Sequence, residues 1–247
     1  MSTVIITTSP KKHHQWANST YAALLVRIGC GGQMLRLQGQ KDYAQIKSAC
    51  EKADRIVLAM PLYVDSIPAQ VLTFLQSIEE DAKEWNATLY VISCCGFFEG
   101  WQTRLQLEQV KCWCKRTGVC YGGGLGVGAT EMLGTIRFTN LFACVPMGLI
   151  VGVIVGLCSR SLHSALVSGL TSFTIPLLLY LLWSSGFFYH TLRFGRKIKH
   201  GIMMKDRFTT VWFCGRPLFT FFASLFWVIR AAKNKVSFKK MWQKLSV

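Results

Sequence analysis

Apolar runs alternate with helix-forming stretches over residues 1–137. The run Ile56–Met60 is apolar throughout, as in a strand buried on both faces of a parallel sheet. Helix starts are indicated by Asn18 or Ser19 as an N-cap and by Pro68 near a first turn. The predicted strands are Val4–Thr7, Gln33–Leu37, Arg55–Met60, Thr88–Ile92 and Val119–Val127, with helices over Asn18–Ile28, Asp42–Ala53, Pro68–Ile78 and Glu99–Arg116. This order predicts an α/β fold with a doubly wound five-stranded parallel sheet.

The pattern changes after residue 137. Phe138–Cys158 and Ser161–Leu192 contain no Asp, Glu, Lys or Arg. Each run is long enough for a helix that crosses roughly 30 Å of hydrocarbon. The pattern therefore predicts two transmembrane helices over 138–192, after an α/β domain at 1–137. A pair of buried helices in a water-soluble protein is the alternative.

Charge gives this arrangement an orientation. The chain has a net charge of +16, and residues 139–247 contribute +13 of it, because they hold 14 Lys and Arg against the single acid Asp206. Basic residues gather after the second run, from Arg193 to Arg207, and the positive-inside rule assigns such clusters to the cytoplasm. We therefore expect a multi-pass protein of the cell membrane with a cytoplasmic N-terminal domain. Nucleic acid is not an expected partner, since no motif that reads it is present.

A third apolar stretch, Phe208–Ile229, lies within the basic region 193–247. It contains Arg216, and a charge at mid-membrane costs at least about 2.5 kcal/mol. We interpret it as an interfacial helix on anionic membrane lipids, with a third membrane span as the alternative.

Candidate ligand-binding residues follow the predicted strands, because open parallel sheets bind ligands beyond the carboxyl ends of their strands. After the first strand, hydroxyls, a cation and a helix N-terminus could hold a phosphate monoester. The residues concerned are Ser9, Lys11, Asn18, Ser19 and Thr20. After the third strand, Pro61, Leu62, Tyr63 and Val64 form an apolar loop that could face a flat ring. After the fourth strand, Gly96 would let the backbone approach a ligand closely, beside Phe97.

These three loops in this order resemble the NAD(P)H-dependent FMN reductase families of the flavodoxin-like superfamily. The resemblance covers about residues 3–134 and includes Ser9-Pro10-Lys11, Pro61-Leu62-Tyr63 and the glycine-rich Gly122–Gly128. Thr8 stands where those families usually have glycine. The resemblance implies an FMN phosphate at Ser9, Lys11, Asn18, Ser19 and Thr20. It places the flavin ring against Pro61–Val64, with Gly96 and Phe97 on the other side.

The predicted chemistry belongs to the cofactor. We find no paired carboxylates, nucleophile–base pair or metal cluster, and the ten cysteines form no CxxC pair. The resemblance implies hydride transfer from NAD(P)H to FMN with no single catalytic residue. A membrane setting suggests a quinone or a membrane redox partner as acceptor, and related reductases often form homodimers. The alternative is a catalytically inactive flavodoxin-like binding or scaffold module tethered to the membrane.

Overall fold

A computed structural model describes residues 2–11, 17–210 and, further on, 224–225, 228–229 and 232–233. The side chains of 132, 134–147, 176, 179–181 and 183 lie outside this description. The chain divides into two compact units, Met1–Val211 and Trp212–Val247. The described residues of the second unit are helical.

The first unit contains one parallel sheet. Its strands are β1 Thr3–Thr7, β2 Gln33–Arg36, β3 Arg55–Pro61, β4 Thr88–Cys94, β5 Cys120–Gly128 and β6 Arg207–Thr210. The helices are α1 Asn18–Cys30, α2 Tyr43–Glu51, α3 Ala69–Ser77, α4 Glu79–Ala82, α5 Arg104–Thr117, α6 Thr130–Ser159 and α7 Leu162–Lys199, with 3-10 turns at Gln40–Asp42 and Gly100–Thr103. The strand order is β2-β1-β3-β4-β5-β6.

The doubly wound prediction is confirmed, because the order 2-1-3-4-5 is that of flavodoxin-type sheets. The central strands β3 and β4 are buried almost throughout, as their apolar sequences require in a sheet covered on both faces. One face packs against α1. The opposite face holds the main core, with Leu58, Phe74, Val91 and Leu107.

The sheet has six strands, so the prediction of five is wrong. The sixth strand, β6, lies within residues 193–247, which were predicted to be a basic region with an interfacial helix. Asp206 fixes this segment, since its Oδ1 accepts hydrogen bonds from the Tyr121 hydroxyl at 2.8 Å and the Gly124 N–H at 2.7 Å. Burial, together with the carboxylate, raises the pKa of Tyr121. Asp206, the single acid among the residues after 138, therefore ties this segment to β5.

The two predicted transmembrane runs form α6 and α7. In the part of the chain that the structure describes, no helix combines the length and the apolar character needed to cross a bilayer. The end of the second run instead packs against protein. Phe187 is fully buried, and its ring stacks on Tyr21 of α1 with centroids 5.9 Å apart. A Cβ on Gly195 would lie 2.5 Å from the Val26 carbonyl oxygen, so α7 crosses α1 at close range.

The third apolar stretch, Phe208–Ile229, is a strand at its start, because Phe208–Thr210 belong to β6. Except for 224–225 and 228–229, the remainder lies outside the described residues. Its interpretation as an interfacial helix or a third span stays a prediction.

Candidate functional site

The three predicted loops lie at one edge of the sheet, because β1, β3 and β4 are parallel neighbours. The Thr8 N–H and hydroxyl both donate to the Ala59 carbonyl at 3.1 Å, which ties the loop after β1 to β3. The Leu62 N–H donates to the Cys94 carbonyl at 2.9 Å and ties the loop after β3 to β4. In a sheet of this order, the connections reverse direction between β1 and β3, and that switch point is the expected ligand site.

The first loop leads into the N-terminus of α1. Ala17, in an extended conformation, is the N-cap of α1, and it makes no side-chain cap hydrogen bond. The prediction of Asn18 or Ser19 as the cap is therefore wrong, since the helix begins one residue earlier. No side chain among the described residues caps the N–H groups of the first turn. A helix end of this kind attracts anions through these donors and its partial positive charge.

The Ser19 hydroxyl lies in this first turn. Ser19 is 2 % exposed, and its Oγ has no hydrogen-bond partner among the described residues. A buried hydroxyl without a partner costs about 1–3 kcal/mol. Such a cost is expected where a ligand completes the site.

The remaining residues of the predicted phosphate site differ in exposure. Ser9 is buried, and its hydroxyl oxygen accepts from the Lys11 N–H at 3.4 Å. Asn18 and Thr20 are partly exposed, and Lys11 is exposed. The loop is also tied by residues that sequence reasoning missed. Gln70 donates to the Thr8 carbonyl, and Arg36 donates to the Lys11 carbonyl.

The second loop is a tight turn with an apolar tip. Val64 and Asp65 have φ values of 49° and 56°, and the Ser66 N–H donates to the Tyr63 carbonyl at 3.1 Å. A β-branched residue at positive φ costs about 1–3 kcal/mol, and such strain gathers at functional sites. Val64 is 97 % exposed and Tyr63 43 % exposed, so the tip presents apolar surface to its surroundings.

Two glutamines of α5 support this turn from below. Gln106, fully buried, donates to the carbonyls of Pro61 at 3.0 Å and Ser66 at 3.1 Å, and accepts from the Ser93 hydroxyl. Gln109 accepts from the Ile67 N–H at 3.0 Å. The sequence offered one signal of this role, because the two glutamines lie three residues apart on one helix face.

The third loop is closed by the start of α6. A Cβ on Gly96 would lie 3.0 Å from Glu131 Cγ, so the space beside this glycine is filled by Glu131. We predicted that a ligand would approach the Gly96 backbone closely. In the structure the Glu131 side chain lies in this position instead. Burial, with a smaller effect of the Glu131 charge, raises the pKa of Tyr63. Phe97, beside Gly96, is 57 % exposed.

The neighbouring cysteines are buried, and burial raises the pKa of Cys94 and brings that of Cys95 to about 11. Both are therefore protonated thiols near neutral pH. Within the described residues, no three His, Cys, Asp or Glu side chains group closely enough to hold a metal ion.

Two cavities lie elsewhere. One, of 310 Å³, is lined near the amino ends of the strands by residues including Ser2, Cys30 and Lys52. The other, of 330 Å³, is lined by Tyr189, Leu192, Arg193 and Arg196 on α7. Neither contains a predicted site residue.

Several solved structures are similar to part of this chain. The Trp repressor binding protein from Bacillus subtilis matches with a TM-score of 0.45 and 17 % identity, over 51 % of this chain and 84 % of its own. An NADPH-quinone reductase from P. pentosaceus matches with a TM-score of 0.43 and 18 % identity, over 52 % and 86 %. An apo NADH:FMN oxidoreductase matches with a TM-score of 0.38 and 18 % identity, over 48 % and 71 %. No protein-family model and no curated protein matches the sequence. The assignment to the flavodoxin-like class of folds rests on the strand order.

Proposed function

We propose that this protein is an FMN-dependent oxidoreductase that transfers electrons from NAD(P)H to an acceptor. The observation that carries the proposal is the buried Ser19 hydroxyl in the first turn of α1, which has neither a hydrogen-bond partner nor a side-chain cap beside it among the described residues. Ser19 is in the helix that follows β1, and sheets of this strand order bind FMN at the switch point between β1 and β3. A phosphate monoester would accept from the helix N–H groups and from Ser19 together.

The candidate residues form two groups, which we call the phosphate side and the ring side after the two ends of FMN. On the phosphate side, Ser9, Asn18 and Thr20 add polar groups, and Lys11 adds the positive charge. On the ring side, Pro61, Leu62, Tyr63, Val64 and Phe97 offer apolar surface that a flat ring would cover. Gly96 has a narrower role than the family resemblance implies, because Glu131 lies against it.

When bound, FMN supplies the hydride and electron chemistry, so the chain needs no nucleophile or proton-transfer residue. Ser19 and the α1 N-terminus hold the anionic end, and Tyr63 and Phe97 limit access of water to the ring side. Gln106 keeps the strained turn in place for this task.

The proposal includes a membrane setting. We propose that the protein lies at the cell membrane with its α/β domain on the cytoplasmic side, in contact with membrane lipids. A quinone or a membrane redox partner would then accept the electrons, and a homodimer is the expected assembly. The apolar side chains exposed on α6 and α7 support this setting.

A second candidate function is an inactive flavodoxin-like binding module that recruits a partner. The position of Glu131 against Gly96 favours this alternative, since an acid occupies space that the ring side would use. Thr8 in place of the usual glycine points the same way.

The experiment is a visible absorbance spectrum of the full-length protein purified in mild detergent. We expect flavin bands that bleach on anaerobic addition of NADH or NADPH and return when a quinone is added. Flavin bands that neither donor bleaches would support the binding module. A colourless protein that takes up no added FMN would overturn the FMN proposal.

A further inference from the structure

The hairpin of α6 and α7 has its small residues inside. Gly148, Gly152 and Gly156 of α6 face Ala165 and Gly169 of α7. A Cβ on Gly152 would lie 3.0 Å from the Ala165 carbonyl oxygen, and one on Gly169 would lie 3.0 Å from the Gly148 carbonyl oxygen. Such glycine-lined contacts let two helix backbones approach closely, as they do in lipid.

Large apolar side chains cover the outside of the same hairpin. More than two-fifths of each is exposed. They are Leu149, Ile150, Val153, Ile154, Leu157, Leu162, Leu166, Val167, Leu170, Ile175, Leu178 and Leu182. A helix pair in water places large apolar residues in the contact and polar residues outside. This arrangement is reversed here, and an exposed set of large apolar side chains of this kind marks a contact with a partner or a membrane.

The cavity of 330 Å³ on α7 lies at one end of this apolar face. Its residues Tyr189, Leu192, Arg193 and Arg196 share one side of the helix. An Arg193 guanidinium nitrogen donates to the Tyr189 hydroxyl at 2.9 Å. Among the described residues, neither Arg193 nor Arg196 forms an ion pair with an acid. Both side chains are exposed, so two guanidinium groups remain available to an anion.

Apolar, aromatic and basic residues follow one another along α7. Tyr189 follows the apolar Leu182 by about 10 Å along the helix axis, and Arg193 follows Tyr189 by about one turn. Aromatic residues are enriched where hydrocarbon meets headgroups, and arginine favours phosphate through paired N–H donors.

We propose that the apolar face of the hairpin contacts lipid hydrocarbon and that Tyr189, Arg193 and Arg196 bind the phosphate of an anionic phospholipid. This inference rests on the membrane part of the proposed function and is independent of FMN binding. The occupant is a phospholipid and not free phosphate, because the cavity continues the apolar face.

The test uses the full chain, synthesised in the presence of vesicles and floated on a density gradient. One vesicle is phosphatidylcholine, and the other is an equimolar mixture with phosphatidylglycerol. We expect flotation with both and at least roughly 30-fold tighter binding to the anionic vesicle, since each of the two arginines adds about 1 kcal/mol near the surface. Arg193→Gln with Arg196→Gln should lower the preference by about this factor and keep flotation, while the other basic residues of 193–247 retain the remainder. The matched control, Lys197→Gln with Lys199→Gln, removes the same charge from residues that do not line the cavity and should lower the preference less.

The two halves of the proposal fail separately. Equal binding to both vesicles, or a loss of preference in the Arg193 and Arg196 variant no larger than in the Lys197 and Lys199 control, would overturn the phospholipid site. Failure to float with either vesicle would overturn the lipid contact and the membrane setting. Leu170→Lys, on the apolar face, should weaken flotation with both vesicles, and unchanged flotation would also count against the lipid contact. Flavin content measured on the same samples keeps the FMN proposal distinct.

Discussion

The phosphate side and the ring side of the candidate site are built on opposite principles. On the phosphate side, the helix end is uncapped and the Ser19 hydroxyl lacks a partner among the described residues. On the ring side, the turn is fully tied to Gln106 and Gln109, and Glu131 fills the space beside Gly96. The phosphate side therefore has hydrogen-bond donors that a ligand could use, whereas the polar groups of the ring side are bonded within the protein.

This difference indicates where affinity and where specificity would arise. Unsatisfied buried donors gain most from an anionic ligand, because their desolvation cost has already been met in the folded protein. A braced, strained turn instead sets the shape of the surface that the ligand meets. We therefore expect phosphate recognition to contribute most of the binding free energy. Contacts to the ring should depend on how far the Glu131 side chain moves away from Gly96.

The largest expected effect is the low reactivity of Cys95 on the ring side. With a pKa of about 11, roughly a thousandth of this thiol is ionised at about pH 8. Because the thiolate is the reactive form and Cys95 is 1 % exposed, alkylation of Cys95 by iodoacetamide should be slow near neutral pH. Peptide mass spectrometry over time measures this, with the exposed Cys112 as control. Labelling of Cys95 as fast as Cys112 would show that the ring side is open.

Next in size is Thr20→Glu on the phosphate side. The added carboxylate repels a phosphate at the helix N-terminus, so FMN affinity should fall by about 100-fold or more. Riboflavin, which lacks the phosphate, should bind as before. Thr20→Gln has similar size without the charge and serves as the control. Retained FMN affinity in Thr20→Glu would remove the phosphate from this helix end.

Gln106→Ala tests the bracing of the ring side. It leaves the Pro61 and Ser66 carbonyls and the Ser93 hydroxyl without their partner, so the free energy of unfolding should fall by about 2 kcal/mol. Gln109→Ala, three residues later and exposed, should cost about 1 kcal/mol or less. Chemical denaturation in a fixed detergent measures both variants. Equal losses would mean that the turn does not depend on its buried glutamine.

The smallest expected effect is that of Ser19→Ala. Removal of a hydroxyl without a partner should leave the stability of the protein unchanged or slightly higher, while FMN affinity falls by about tenfold. Ser66→Ala on the ring side gives the opposite pattern, because its hydroxyl bonds Gln109. It should lower stability and leave the ratio of FMN to riboflavin affinity unchanged. Isothermal titration and thermal unfolding together distinguish these patterns.

The sequence predicted the sheet well where each strand carries its own signal. Ile56–Met60 could be assigned because the continuous apolar run fits a strand buried on both faces. β6 could not be assigned, because Arg207–Thr210 is short and carries no clear strand pattern. Its position depends on Asp206, whose carboxylate accepts a hydrogen bond from Gly124 of β5, a residue far away in the sequence. The end of the second apolar run was also beyond sequence reasoning, since Phe187 is equally suited to lipid and to Tyr21.

At the site, the sequence indicated which loops come together but not how they are filled. The order of strands and loops was sufficient to bring Ser9, Tyr63 and Phe97 to one edge. Gln70 and Glu131 depend on the packing of α3 and α6, which no local pattern encodes. The N-cap of α1 lies one residue before the predicted Asn18, and helix ends commonly vary by one or two residues.

The most direct measurement compares FMN and riboflavin titrations of the full-length protein, followed by flavin fluorescence. If the α1 N-terminus and Ser19 bind a phosphate, FMN should bind at least about 100-fold more tightly than riboflavin. Equal affinity for the two flavins, or no binding of either, would contradict a phosphate-binding flavin site at this edge of the sheet.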